Sequence, residues 1–202
     1  MRDFLRALDE QRWDDHRYYH HSRINQSLHL LSAVCFLSSY LLLFVQPVAA
    51  ALVGWLLAMV SRQLGHFFFE PKGYDEVNQA THEFKEEVKI GYNLRRKVVL
   101  LAIWALSPLA LLAEPTAFGL LAARPGLGGF LENVSRLWIA LGVGAVLFRT
   151  LQLFVLKDVR TGLVWLVKIL SDPFHDIKLY HRAPLQVLRG ERLAPIVPGR
   201  VA

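Results

Sequence analysis

A run of about 20 apolar residues is long enough to cross a bilayer as a helix, and this chain offers four, at residues 26–45, 48–69, 98–121 and 137–156. In hydrocarbon a segment must satisfy its own backbone polar groups, so such runs predict helices and exclude an open sheet. With 53% hydrophobic residues in 202 and a mean hydropathy of +0.30, the chain is more apolar than a soluble domain of its size. The expected architecture is an all-α integral membrane helical bundle of about four spanning helices plus cytoplasmic and interfacial helices.

The runs divide a single membrane domain. Residues 1–25 form a cytoplasmic N-terminal segment, residues 26–69 a first helical hairpin turning at Gln46 and Pro47, and residues 70–97 a polar amphipathic cytoplasmic helix. Residues 98–156 form a second hairpin, kinked at Pro108, and residues 157–202 a cytoplasmic tail in which 161–170, too short to cross and carrying Lys168, lies in the interface.

Basic residues set the orientation, because short cytoplasmic loops are enriched in lysine and arginine. Of 23, only Arg124 and Arg136 fall in the outer connections, so both termini are expected in the cytoplasm of an inner-membrane protein. The net charge of +6 then serves topology and attraction to anionic membrane lipids, not nucleic acid. The lone Cys35 sits inside the first run and permits no internal disulfide. The charged segment before that run does not fit a cleavable signal peptide. The glycine cluster "RPGLGGF" lacks the lysine of a phosphate loop.

All eight histidines, His16, His20, His21, His29, His66, His82, His175 and His181, fall on the expected cytoplasmic side. Histidine is the commonest metal ligand and rare at membrane depth. His20 and His29, nine residues apart, would face opposite ways on one helix. If Asn25 caps the first spanning helix, His20 lies in the preceding connection and the two rings can converge. His66 and Glu70 share one helical face, with Gln63 a turn earlier. Because the first two spans are antiparallel neighbours, His66 comes to the same end as His29. Gly65 allows close helix approach. Asn78, His82 and Glu86 form a stripe on the following polar helix, from which His82 folds back as a fourth ligand. His16, His21 and His181 read as interfacial or solvated residues, and His175, with Asp176, as an anchor for the tail.

The pattern His20-x4-Asn25-x3-His29, preceded by Tyr18 and Tyr19, together with Gly65-His66-x3-Glu70, resembles the 2-hydroxy fatty acid dioxygenase family of small multi-span membrane proteins over residues 15–80. The resemblance implies an iron(II)- and O2-dependent α-oxidation that shortens a 2-hydroxy fatty acyl substrate by one carbon. The sequence departs from that pattern: the glutamine stands three residues before His66, as Gln63, with Arg62 in the position expected for it, and the Pro-Ala-Leu stretch after the glutamate is replaced by "PKGYDEVNQATHEF".

The resulting expectation is a non-haem Fe(II) oxygenase with His20, His29, His66 and His82 as metal ligands and Glu70, Asn25 and Gln63 around them. Three other readings stay open: a membrane di-iron hydroxylase or desaturase, although no HxxHH cluster occurs; a bis-histidine b-type haem protein with His29 and His66 as axial ligands; and a non-enzymatic lipid-organising protein.

Overall fold

The computed structural model describes residues 2–70, 72–76 and 78–195. Among them the chain is all-helical, with two isolated β-bridges and no strand. The helices are α1 (Arg2–Tyr19), α2 (Arg23–Leu42), α3 (Pro47–Phe68), α4 (His82–Val88), α5 (Leu94–Ala113), α6 (Gly126–Leu156), α7 (Val159–Tyr180) and α8 (Ala183–Leu188).

Among the described residues, three helices are long and apolar enough to cross a membrane: α3, α5 and α6. The first expected span, residues 26–45, does not join them, so a four-span bundle is not established. The helix there, α2, carries Asn25, Gln26, His29 and four serines, which lowers its hydropathy. Those side chains have a purpose in the packing. Helix α2 is central, contacting α3, α7 and α8, and its buried face is Asn25, Gln26, His29, Ser32 and Ala33.

Helix α3 begins with proline at its first position, where a missing N–H costs nothing. Its middle, Val53–Met59, is a π-helix. Each residue turns through less in a π-helix than in an α-helix, so such a segment rotates the helical turns beyond it by on the order of a hundred degrees about the axis. That rotation sets the direction of His66 relative to Trp55. Gly54 gives α2 and α3 a close contact, since a Cβ there would lie 2.9 Å from Ser39 Oγ and displace that hydroxyl.

Helix α5 ends at Ala113, well short of residue 121. Glu114 precedes Pro115, which disfavours helical backbone, and adopts φ −136°, ψ 88°. Away from the histidines, Trp55, Leu111, Val134 and Trp138 form an apolar core. Trp55 Nε1 donates to the carbonyl of Trp138 at 2.8 Å, and Trp138 Nε1 to Ser107 Oγ at 3.0 Å, so neither indole is buried unpaired.

Two further expectations fail. The long polar helix over 70–97 is broken: Asp75 and Ala80 pair as an antiparallel bridge, α4 starts only at His82 with Thr81 as its cap, and α5 starts at Leu94. Asn78 is drawn out of any stripe by its bonds to Asp75 and to the carbonyl of Arg17. The short interfacial helix over 161–170 is instead the 22-residue α7, which runs through Pro173 and packs against α1, α2 and α6. Its buried residues include Lys168, Asp172, Asp176 and Tyr180.

Candidate metal centre

The break between α1 and α2 places the first ligand. Ser22, not Asn25, caps α2, its hydroxyl accepting from the backbone N–H of Asn25 at 3.4 Å. Asn25 and Gln26 turn back instead. Asn25 Nδ2 donates to the carbonyl of Tyr19 at 2.8 Å and Gln26 Nε2 to that of His20 at 2.7 Å. These carbonyls end α1 and would otherwise be orphaned, so the two amides pin the turn that carries His20.

His29 projects from the second turn of α2 and is fully buried. His66 comes from the last turn of α3, which crosses α2 at Gly65. A Cβ at Gly65 would stand 2.1 Å from Asn25 Oδ1 and 3.4 Å from His29 Cδ2. Only glycine fits there. The close approach expected at this position is therefore present.

One ring nitrogen each from His20, His29 and His66 lies within 4.8 Å of the other two. Ring centroids are 4.1 Å apart for His20 and His29, 4.9 Å for His29 and His66, and 5.4 Å for His20 and His66. Nitrogens bound about 2.1 Å from one cation would stand about 3 Å apart, so small ring movements close the set.

Each ring is backed on its Nδ1 side. His66 Nδ1 is 2.7 Å from Glu70 Oε2, and His20 Nδ1 is 3.1 Å from the Tyr180 hydroxyl. His29 Nδ1 is 3.7 Å from Asp176 Oδ2, an electrostatic contact longer than a hydrogen bond. Outer partners on one ring nitrogen are the usual support of a metal-bound histidine. They leave Nε2 of all three rings as the ligand atom. Nε2 of His20 and both ring nitrogens of His29 are buried without a hydrogen-bond partner, a costly state for a polar atom that a cation on Nε2 would relieve.

A charged layer surrounds the rings. Arg62 donates to Asp176 at 3.0 Å and lies 3.9 Å from Asp172; Lys168 binds Asp172 at 2.8 Å and also Asp15. Burial pushes the Asp176 carboxyl up, but Arg62 and His29 outweigh it and hold the group at about 2. Glu70 is raised by burial, against the pull of Lys89, whose ammonium is 3.5 Å away. Burial, followed by the neighbouring His29, holds His20 well below its ordinary range. The neutral imidazole it thereby retains is the form that binds metal.

Of the seven residues expected at the site, His20, His29 and His66 are brought together, Glu70 orients His66, and Asn25 supports the turn at His20. Gln63 makes no hydrogen bond to the three rings: its Nε2 is 3.3 Å from Met59 Sδ and its Oε1 is buried without a hydrogen-bond partner. His82 is not in the group: with the polar helix broken, it opens the short α4. His181, which contacts the carbonyl of Lys178 at 3.0 Å, is exposed, whereas His21, expected at the interface or in solvent, is buried and lies 3.7 Å from Asp75. Sequence reasoning missed Asp176, Tyr180 and the pairing of Arg62. The spacing Asp172, Asp176, Tyr180, four residues each, marks one buried face of a helix and was the available signal.

No family model, curated protein or solved structure matches this chain.

Proposed function

We propose that this chain is a membrane-bound, iron(II)-dependent dioxygenase that oxidises a long-chain 2-hydroxy fatty acid with O2 to the acid one carbon shorter. The observation that carries the reading is the convergence of His20, His29 and His66, each ring backed by its own outer partner. A neutral three-imidazole set suits iron and other borderline divalent cations and leaves coordination positions open for small ligands. Bound iron(II) would supply O2 activation and a chelating position for the carboxylate and 2-hydroxyl of the substrate.

The chain's own residues prepare that chemistry. Glu70, Asp176 and Tyr180 orient the rings, Arg62 keeps Asp176 ionised, and Asn25 with Gln26 holds the turn that presents His20. The reaction RCH(OH)COOH + O2 → RCOOH + CO2 + H2O balances with O2 as the sole oxidant. The bond between the hydroxyl carbon and the carboxyl carbon breaks, and the hydroxyl carbon becomes the new carboxyl group.

Exposed apolar side chains on α5 and α6, among them Ile103, Leu106, Leu109, Leu147, Leu151 and Val155, fit lipid contact and an acyl chain lying between helices. In this reading α2 also crosses the membrane, its polar face shielded by α3 and α7. Both termini and the histidine centre then lie on the cytoplasmic side of the inner membrane.

The haem reading fits poorly. Axial histidines flanking a macrocycle have ring centroids about 6 Å apart with the porphyrin between them, whereas His29 and His66 are at 4.9 Å with His20 against both. A second iron lacks ligands, since only one such histidine group is formed among the described residues. The test is incubation of purified, iron(II)-loaded protein with 2-hydroxy fatty acid. One O2 consumed per shortened acid supports the proposal; a desaturated or ω-hydroxylated product overturns it.

A further inference from the structure

The geometry assigns Tyr180 a positioning role: its hydroxyl couples the tautomer of His20 to that of His16, so that metal loading of the three-histidine centre is transmitted through one hydroxyl to a ring outside it. This inference rests on the metal-centre reading of His20, His29 and His66. The Tyr180 hydroxyl lies 3.1 Å from His20 Nδ1 and 3.1 Å from His16 Nδ1. Tyr180 is buried, and His16, on α1, is half-buried and packs its ring against both Trp13 and Tyr180.

A phenol has one proton, so it donates to one of these nitrogens and accepts from the other. When His20 Nε2 is bound to a cation, the ring's remaining proton is on Nδ1 and donates to the Tyr180 oxygen. The tyrosine proton then points to His16 Nδ1. That nitrogen must be bare, which leaves His16 with its proton on Nε2. Without a cation, the reversed chain is equally well formed, with His16 Nδ1–H donating to Tyr180 and Tyr180 to His20 Nδ1. Metal loading therefore selects one direction of a two-bond chain, and no group changes its charge.

The surroundings keep the chain neutral. Burial, followed by the neighbouring His21 and His175, takes His16 down to about 4, so at neutral pH its ring is uncharged, with one N–H and one bare nitrogen.

The experiment compares ring 15N shifts of histidine-labelled protein in detergent, stripped by chelator and then loaded with Zn(II). In the parent, loading should collapse His16 onto the Nε2–H tautomer although His16 is not a ligand. Tyr180→Phe, which keeps the ring and removes the hydroxyl, should abolish the His16 response and weaken Zn(II) binding by about 10- to 100-fold, with helix content unchanged. Parent-like Zn(II) affinity in Tyr180→Phe, or a His16 tautomer in the parent that is indifferent to Zn(II), overturns the inference and leaves the metal centre standing. Failure of the parent to bind Zn(II) at all overturns both.

Discussion

Glu70 Oε2 lies 2.7 Å from His66 Nδ1 although the helix carrying His66 has already ended at Phe68. The contact therefore survives the end of the helix that would ordinarily make it, and it is Lys89, at 3.5 Å from the other carboxylate oxygen, that holds Glu70 in place. Helix α4 and the loop after it thus support the centre through Glu70 and contribute no ligand of their own. Glu70→Gln keeps a hydrogen-bonding group beside His66 and should reduce metal affinity by about tenfold, whereas Glu70→Ala should reduce it by about 10- to 100-fold. Titration of both variants with Zn(II) checks the order.

His82→Ala should bind metal as the parent does, because His82 lies outside the group of three. Elemental analysis of the purified variant decides this; loss of metal would show that α4 reaches the centre.

Gly65→Ala should disrupt the site without touching a ligand. The added methyl would sit 2.1 Å from Asn25 Oδ1, so either α3 moves away from α2 or Asn25 releases the turn at His20. Overpacking of this kind costs about 1–3 kcal/mol. Thermal unfolding and metal content should both fall, and a variant that keeps both would contradict the close contact.

Asp176→Ala leaves Arg62 buried beside Asp172 alone, and removing one partner of a buried ion pair costs about 3–5 kcal/mol. Replacing Arg62 and Asp176 together, by Met and Leu, should recover part of that loss in a double-mutant cycle. Recovery of stability without recovery of metal binding would separate the packing role of the pair from its support of His29.

Acid should act in two stages. A histidine held below its ordinary value binds its proton more readily in the unfolded chain, so stability falls as pH drops. For His16 this occurs between 6.5 and about 4. Asp176, held at about 2, contributes stability that is complete above its ordinary value of 3.8 and is lost as pH falls through 2. Unfolding midpoints against pH should show the first decline in the parent and a shallower one in His16→Gln.

What the sequence made legible was governed by distance along the chain. His29, Gly65, His66 and Glu70 were readable because a hairpin turning at Gln46 and Pro47 makes α2 and α3 neighbours, and helical spacing then fixes the faces. His20 was readable only through a helix break between it and His29, which the sequence suggests as a cap at Asn25 and which Ser22 makes. The spacing of Asp176 and Tyr180 marks a helical face but not what it meets, because their contacts to His29 and His20 join opposite ends of the chain and depend on α7 folding back over α2. His82 was misplaced because a charged amphipathic pattern does not reveal that the Asp75–Ala80 bridge interrupts the helix. The hydropathy of α2 left its span unsettled, because Asn25, Gln26, His29 and Ser32 are the buried face of a helix packed against α3, α7 and α8.

The central claim is that His20, His29 and His66 hold one metal ion, and the most direct measurement is the metal-to-protein ratio of chain purified without chelators, taken with its visible spectrum. The account predicts one iron per chain with no Soret band in the parent, and loss of that iron in His20→Ala, His29→Ala and His66→Ala while each remains helical and membrane-inserted. A parent without metal, a Soret band, or retention of iron by all three variants would contradict it.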